Sequence, residues 1–162
     1  MLSRVCRGLA ISAHPVHETV RLLWILIVAQ FLLAAVLVLS ARWSPLPVAA
    51  LTIAAPGIGL AVWAWAKVGW RKIRIHPAAT EKTELLTDGP YGIVRHPMYA
   101  GLLWFTAALL LTPLVWWRVV GWVALLVVLY AKSAHEEQSM RERFDGYPAY
   151  QNRVGRLFPA RR

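Results

Sequence analysis

Four apolar runs limit what this 162-residue chain can fold into. They cover residues 22–39, 46–70, 98–111 and 114–131. A membrane-spanning helix needs about 20 mainly apolar residues. The third run has 14 residues, which gives a helix of only ~21 Å against a hydrocarbon core of ~30 Å. The runs predict an all-α membrane bundle of about four membrane helices, in which the last two form either two full spans or a shallower hairpin.

The composition excludes a soluble α/β enzyme. Apolar residues make up 58% of the chain and charged residues 16%, whereas a soluble domain carries about 25% charged residues. The length allows one membrane domain, residues 1–162. Because Cys6 is the only cysteine, an internal disulfide and a cysteine-based metal site within one chain are both excluded, and we predict no metal.

The basic residues predict the orientation of the bundle. The chain has 18 Lys and Arg residues and a net charge of +10. We assume a cytoplasmic N-terminus and four crossings. Only Arg42 and Arg118 then lie in the outer turns, and Lys67 lies inside the second run. The other 15 basic residues fall on the cytoplasmic side. This bias predicts an integral membrane protein with both termini in the cytoplasm. The same bias accounts for the positive net charge, so we predict no nucleic acid as a partner.

The polar loop of residues 76–99 is the first segment that could carry chemistry. Pro97 suits the first turn of a helix, and Arg95, His96, Tyr91 and Tyr99 gather around that helix start. Free backbone N–H groups at a helix N-terminus favour a carboxylate or phosphate. The alternative is an interfacial anchor, in which Arg95 contacts lipid phosphates.

The segment that begins at Lys132 is the second. Helical spacing predicts that Glu137 pairs with Arg141 on an exposed helix face. Lys132 and Glu136 come within a turn of an apolar run, where an ionisable side chain is costly unless it is paired or used. These two residues are therefore candidates for function.

The two segments together resemble the isoprenylcysteine carboxyl methyltransferase family and, more broadly, the small membrane methyltransferases that include phospholipid methyltransferases. Residues 89–101 match the pattern G-x-Y…R-H-P-x-Y-x-G, and residues 136–140 are similar to E-E-x-x-L. Tyr147, Tyr150 and Arg153 fit the ending of the family, and the likeness covers residues 71–159. Met140 stands where the family has Leu, and the segment Phe144–Tyr147 is one residue shorter than usual.

The resemblance implies a methyltransferase that uses S-adenosyl-L-methionine at the cytoplasmic membrane face. Residues 1–70 then supply two spans, and residues 71–162 form the cofactor-binding core. The acceptor implied is an amphiphile, a lipid or an isoprenoid that presents a carboxylate, thiol or amine. By position in the motifs, the cofactor-binding residues are His76, Thr83, Glu84, Leu85, Leu86, Tyr91, His96, Pro97, Met98, Tyr99 and Glu136.

The chemistry of the cofactor explains these residue types. Its ammonium group needs a carboxylate such as Glu136, and its carboxylate needs His96, Tyr99 or free N–H groups. Apolar walls for adenine come from the leucines and methionine of the set. The residues assigned to catalysis are Arg95, Lys132 and Arg153, the last two on the acceptor side.

Two other functions stay open on the sequence alone. Sterol reductases that use NADPH resemble the same C-terminal region, although this chain has a short tail and lacks an extra basic pocket for a 2′-phosphate. The second open function is a non-enzymatic subunit that binds membrane lipids. In that case Arg95, Lys132 and Arg153 contact anionic headgroups. The sequence does not predict an oligomeric state.

Overall fold

The computed structural model of the protein describes residues 16–69 and 85–160, with side chains from residue 20 onward in the first range. This part of the chain contains five α-helices: α1 (Val16–Leu39), α2 (Val48–Val68), α3 (Pro97–Leu109), α4 (Trp116–Arg143) and α5 (Tyr147–Arg153). A short 3-10 helix, Gly89–Gly92, precedes α3. Within the described ranges the only β pairing is a single parallel bridge between Val94 and Gly155. The predicted all-α membrane bundle is confirmed.

The helices differ in how far they could reach across a bilayer. α1, α2 and α4 are long and apolar enough to cross a membrane. α3 has 13 residues and is only ~20 Å long. α4 continues past the fourth apolar run to Arg143, because Lys132, Ser133 and Glu137 in this extension are buried against the rest of the protein.

The α1–α2 turn and the α3–α4 turn lie at the same end of the bundle. The amide of Arg42 donates to the carbonyl oxygen of Thr112 at 2.6 Å. Arg118 is fully buried at this end, where its guanidinium donates to the carbonyl oxygens of Pro113 (2.7 Å) and Leu37 (3.0 Å). The start of α3 is therefore at the opposite end, ~20 Å from these turns.

α2 and α3 touch backbone to backbone because each has a glycine where they cross. A Cβ on Gly101 would lie 2.5 Å from the carbonyl oxygen of Gly57 and 2.8 Å from the Cβ of Ala61. Nε1 of Trp104 in α3 also donates to the carbonyl oxygen of Ile53 in α2 at 2.8 Å. Close contact at small residues stabilises helix pairs in membranes. This contact holds α3 in place.

We expect Gly101→Ala to lower the free energy of unfolding by about 1–3 kcal/mol, because the added methyl group overpacks the crossing. Gly59→Ala is the matched control, since no atom lies within 4 Å of the Cβ it adds. Thermal unfolding in detergent measures both variants. Equal melting temperatures would show that α2 and α3 do not depend on this close contact.

The segment after α5 folds back onto the bundle. The amides of Arg95 and His96 donate to the carbonyl oxygens of Gly155 (2.8 Å) and Arg156 (3.0 Å). Leu157 is then buried in the main apolar cluster, whose other buried members are Leu37, Leu103, Leu125 and Leu129. The tail therefore ties the loop before α3 to the bundle core.

Candidate active site

A cavity of about 300 Å³ lies where α3 begins, beside the ends of α2, α4 and α5. A volume of this size is at the lower end of the range for small-molecule sites, about 300–1,000 Å³. Its walls are mostly apolar and aromatic. The lining residues are Val68, Leu85, Leu86, Tyr91, Arg95, His96, Pro97, Met98, Tyr99, Glu136, Met140, Phe144, Tyr147 and Tyr150.

One wall of the cavity carries a carboxylate with an oxygen left over for a ligand. Oη of Tyr99 donates to Oε1 of Glu136 at 2.7 Å, and the Tyr99 ring stacks on the His96 imidazole with 5.4 Å between centroids. Oε2 of Glu136 lies 3.6 Å from Nδ1 of His96, and no described residue donates a hydrogen bond to it. The Glu136 side chain is 36% exposed. Its charge is therefore available to a cationic group in the cavity.

Glu137, the next residue of α4, is fully buried and does not line the cavity. Its carboxylate accepts hydrogen bonds from Nε and Nη2 of Arg95 at 2.8 and 3.2 Å. It also accepts from Nη2 of Arg156 at 2.7 Å and Nε2 of Gln151 at 2.9 Å, and Nε2 of His96 lies 3.2 Å away. Charge-assisted bonds of this kind are the strong ones. Glu137 therefore joins α4 to both the loop before α3 and the tail.

The predicted ion pair between Glu137 and Arg141 is wrong. Nε of Arg141 instead donates to Oε1 of Gln151 at 2.8 Å. The tail covers the helix face that carries Glu137, so this carboxylate is buried among charged donors from distant parts of the chain. A buried carboxylate needs several such donors to offset its desolvation.

Lys132 lies at the junction of α1, α3 and α4. Its Nζ donates to Oε1 of Gln30 at 2.9 Å and lies 5.0 Å from the centroid of the Tyr99 ring. The side chain is buried and is not part of the cavity wall. Lys132 thus contacts a cavity residue, Tyr99, without reaching the cavity itself.

The structure brings together every described residue that the resemblance implies for the cofactor. These eight residues all line the cavity: Leu85, Leu86, Tyr91, His96, Pro97, Met98, Tyr99 and Glu136. The other three, His76, Thr83 and Glu84, lie outside the described residues. The cofactor role of the set stays a prediction.

The three residues assigned to catalysis do not meet at one point. Arg95 lines the cavity, but its guanidinium is engaged by Glu137 and by the carbonyl oxygens of Gln151 and Val154. Arg153, at the end of α5, is exposed and does not line the cavity. With Lys132 buried beside Tyr99, the catalytic roles of all three stay predictions.

Five more residues line the cavity without having been predicted for the site: Val68, Met140, Phe144, Tyr147 and Tyr150. A spacing of four residues from Glu136 to Met140 to Phe144 indicates one helix face and could have identified two of them. The spacing of three between Tyr147 and Tyr150 is a similar signal. Arg156 and Gln151, which bind Glu137, have no local signal.

The tyrosines of the cavity are uncharged at neutral pH. Burial raises the pKa of Tyr147 to about 12, and the charge of Glu137 acts in the same direction. Burial also raises the pKa of Tyr150 and of Tyr91. Oη of Tyr150 donates to the carbonyl oxygen of Tyr91 at 2.6 Å. This wall therefore offers ring faces and neutral hydroxyl groups to a ligand.

An ion pair holds the end of α2 to the loop before α3. Nζ of Lys67 lies 2.6 Å from Oδ2 of Asp88. The hydrogen bond from Lys67 lowers the pKa of Asp88. Gly89 follows with a φ of +59°, a conformation that suits glycine, and the ring of Trp63 lies against it. The ion pair therefore holds the cavity residues of α2 and of the loop next to each other.

The described residues include no group of three His, Cys, Asp or Glu side chains that could hold a metal ion. The family of the chain follows from comparison with known proteins. A family model described as phospholipid methyltransferase matches residues 46–146, more than half of the chain. Comparisons with curated proteins and with solved structures gave no match. The matched range includes α2, α3, α4 and the loop that carries His96.

Proposed function

The chain belongs to the phospholipid methyltransferase family, and from this premise we propose that it transfers methyl groups from S-adenosyl-L-methionine to an amphiphile in the membrane. The family match and the long apolar helices indicate an integral membrane methyltransferase. The identity of the donor and of the acceptor is what we propose. One observation carries it: the eight described residues implied for the cofactor line a single cavity.

The donor set of the cavity fits the methionine part of the proposed cofactor. Oε2 of Glu136 has no hydrogen bond from a described residue, so it can accept from the ammonium group. Nε2 of His96 faces the carboxylate of Glu137, which only accepts, so this nitrogen carries the proton. Nδ1 of the same ring lies 3.6 Å from Oε2 of Glu136. This oxygen of the Glu136 carboxylate supports binding of an ammonium group at this wall.

The start of α3 provides donors for the carboxylate of the cofactor. The helix begins at Pro97, and the amides of Met98 and Tyr99 have no carbonyl group four residues earlier within the helix. Such amides and the helix dipole favour an anion. The hydroxyl of Tyr99 is already engaged with Glu136. We therefore assign the carboxylate to the amides and not to this hydroxyl.

The apolar residues suit the remaining part of the cofactor. Leu85, Leu86 and Met98 form a wall on which an adenine ring can lie, and Phe144 adds an aromatic face. S-adenosyl-L-methionine supplies a methyl group that its sulfonium has already activated. The protein therefore has to hold the two reactants in line and exclude water. Such positioning by itself strongly lowers the activation barrier of the transfer. The aromatic walls serve this purpose.

The depth of the cavity supports an acceptor that resides in the membrane. From the outer turns to Pro97, α3 is ~20 Å long, whereas a hydrocarbon core is ~30 Å thick. With the outer turns at one boundary of the core, a cavity at the start of α3 would lie inside the opposite boundary. An acceptor reaches it from the bilayer, as a lipid or isoprenoid that carries an amine, thiol or carboxylate can.

Ligand-dependent stability tests the proposed cofactor. Purified protein in detergent should melt at a higher temperature with S-adenosylhomocysteine, the product of the donor, and at an unchanged temperature with NADPH. Stabilisation follows the ratio of ligand concentration to Kd, at about 2.7 kcal/mol for a 100-fold excess. A response to NADPH alone would favour the reductase, and a response to neither would favour the lipid-binding subunit.

Both termini are expected on the cytoplasmic side, together with the site. The distribution of basic residues supports this orientation. Reporter fusions at Met1 and at Arg162, read by activity on one side of the membrane, measure it. A reporter inserted after Arg42, in the α1–α2 turn, is the control and should report the outer side. An external C-terminus would contradict the orientation and move the site to the other face.

Tyr99→Phe is expected to weaken S-adenosylhomocysteine binding by about three- to tenfold, because Glu136 loses a hydrogen bond of about 0.5–1.5 kcal/mol that fixes its orientation. Tyr130→Phe removes an exposed hydroxyl on α4 and should leave the affinity unchanged. Calorimetric titration gives both values. Equal affinities for the two variants would show that the Tyr99 hydroxyl does not support the binding wall.

A further inference from the structure

α1 reaches the site through one polar residue. The helix, Val16–Leu39, lies outside the range that matches the family model, residues 46–146. Within residues 22–39 Gln30 is the only polar residue, and it is only 7% exposed. Most other large side chains on this helix, such as Ile25 and Phe31, are exposed to the surroundings of the bundle. A buried polar residue in such a helix points to a specific partner.

That partner is Lys132, whose Nζ donates to Oε1 of Gln30 at 2.9 Å. The same Nζ lies 5.0 Å from the centroid of the Tyr99 ring, within the distance of a cation–π contact. Tyr99 in turn donates its hydroxyl to Glu136 at 2.7 Å. A continuous series of contacts therefore runs from α1 through α4 and α3 to the carboxylate of the cavity.

The position of Lys132 makes Gln30 important. The lysine side chain is 9% exposed and directly follows the fourth apolar run, where an ammonium group is costly without partners. Among the described residues, Gln30 is its only hydrogen-bond acceptor. Without that acceptor, the flexible lysine stem has no fixed position over the Tyr99 ring.

We propose that Gln30 is a positioning residue of the methyl-transfer site: it holds Lys132 against the Tyr99 ring and so keeps the Tyr99 hydroxyl on Glu136. This inference rests on the proposed function, since Glu136 is taken to hold the ammonium group of the donor. It makes α1 a functional part of the site and not merely an anchor. Gln30 acts through Lys132 and does not touch the ligand.

A double-mutant cycle with Lys132→Met tests this relation, with S-adenosylhomocysteine as the titrated probe. Gln30→Leu should weaken binding about three- to tenfold, the loss expected when the supported hydrogen bond is no longer fixed. Gln30→Asn, one methylene shorter, should give the same loss while keeping a polar residue. Gln30→Glu keeps an acceptor oxygen at full length and should retain binding within about twofold of the wild type.

In the Lys132→Met background, Gln30→Leu should change the affinity by less than about twofold, because the residue through which it acts is gone. Phe31→Leu, at an exposed neighbouring position, controls for a change in α1 itself. Equal losses from Gln30→Leu in both backgrounds, or no loss in the wild-type background, would overturn the inference alone. If the wild-type protein does not bind the probe at all, the proposed function fails and this inference fails with it.

Discussion

Replacing Glu137 with glutamine is expected to lower the free energy of unfolding by about 3–5 kcal/mol, the cost of breaking a buried ion pair from one side. The carboxylate is fully buried and binds Arg95 through two hydrogen bonds and Arg156 through a third. An amide keeps the shape, but it turns an N–H₂ group towards these guanidinium groups and leaves them without a counter-charge. Melting in detergent and unfolding in denaturant both measure the loss.

The matched control for this substitution is Glu142→Gln, which removes the same charge from an exposed position of the same helix. Exposed ion pairs contribute about 0–1 kcal/mol, so the control should melt close to the wild type. If both substitutions lower the melting temperature equally, Glu137 does not hold the loop and the tail together.

Glu136→Gln is expected to raise the Kd for S-adenosylhomocysteine by about ten- to a hundredfold, because a hydrogen bond to a charged group contributes about 1.5–3 kcal/mol. Its melting temperature should stay near that of the wild type, since the side chain is 36% exposed and the amide oxygen can still accept from Tyr99. Titration calorimetry of the folded variant measures the affinity.

Two neighbouring glutamates thus separate binding from stability. The Glu136→Gln variant should lose affinity for S-adenosylhomocysteine and keep its melting temperature. The Glu137→Gln variant should above all lose stability. Equal losses of affinity in the two variants, in proportion to their melting temperatures, would mean that Glu136 only supports the packing of α4. The proposed binding wall would then be wrong.

Much of the fold follows from patterns that are local in the sequence. Runs of apolar residues predict helices at membrane length, and each of the four runs overlaps one of the helices α1 to α4 over most of its length. The cavity could also be predicted, because two motifs on either side of a helical hairpin are brought to the same end of the bundle. His96 and Glu136, 40 residues apart, therefore line one cavity.

The contacts that the sequence does not predict join distant segments. Glu137 has Arg141 four residues away, which suggests an exposed pair, but the tail folds back and brings Arg156 to the carboxylate instead. Four crossings place Arg118 at an outer turn, and the structure buries it at that end, where it donates to the carbonyl oxygens of Pro113 and Leu37. Nothing within a few residues of Glu137 or Arg118 identifies Arg156 or Leu37 as the partner.

Gln30 is a similar case. It stands out in the sequence as the one polar residue of its run, but its partner Lys132 is 102 positions later. Only the packing of α1 against α4 identifies the pair. The sequence therefore marks Gln30 as unusual but does not show what it binds.

The most direct test of the account is the transfer of an isotopically labelled methyl group to membrane lipids. Purified protein is incubated with S-adenosylmethionine that carries a labelled methyl group and with a lipid extract, and the lipids are read by mass spectrometry. The account predicts a labelled amphiphile with the wild type and with Glu142→Gln, and at least about tenfold less with Glu136→Gln, in line with the lost charge-assisted bond. No labelled lipid with the folded wild type, or equal labelling by Glu136→Gln at donor concentrations below the wild-type Kd, would contradict it.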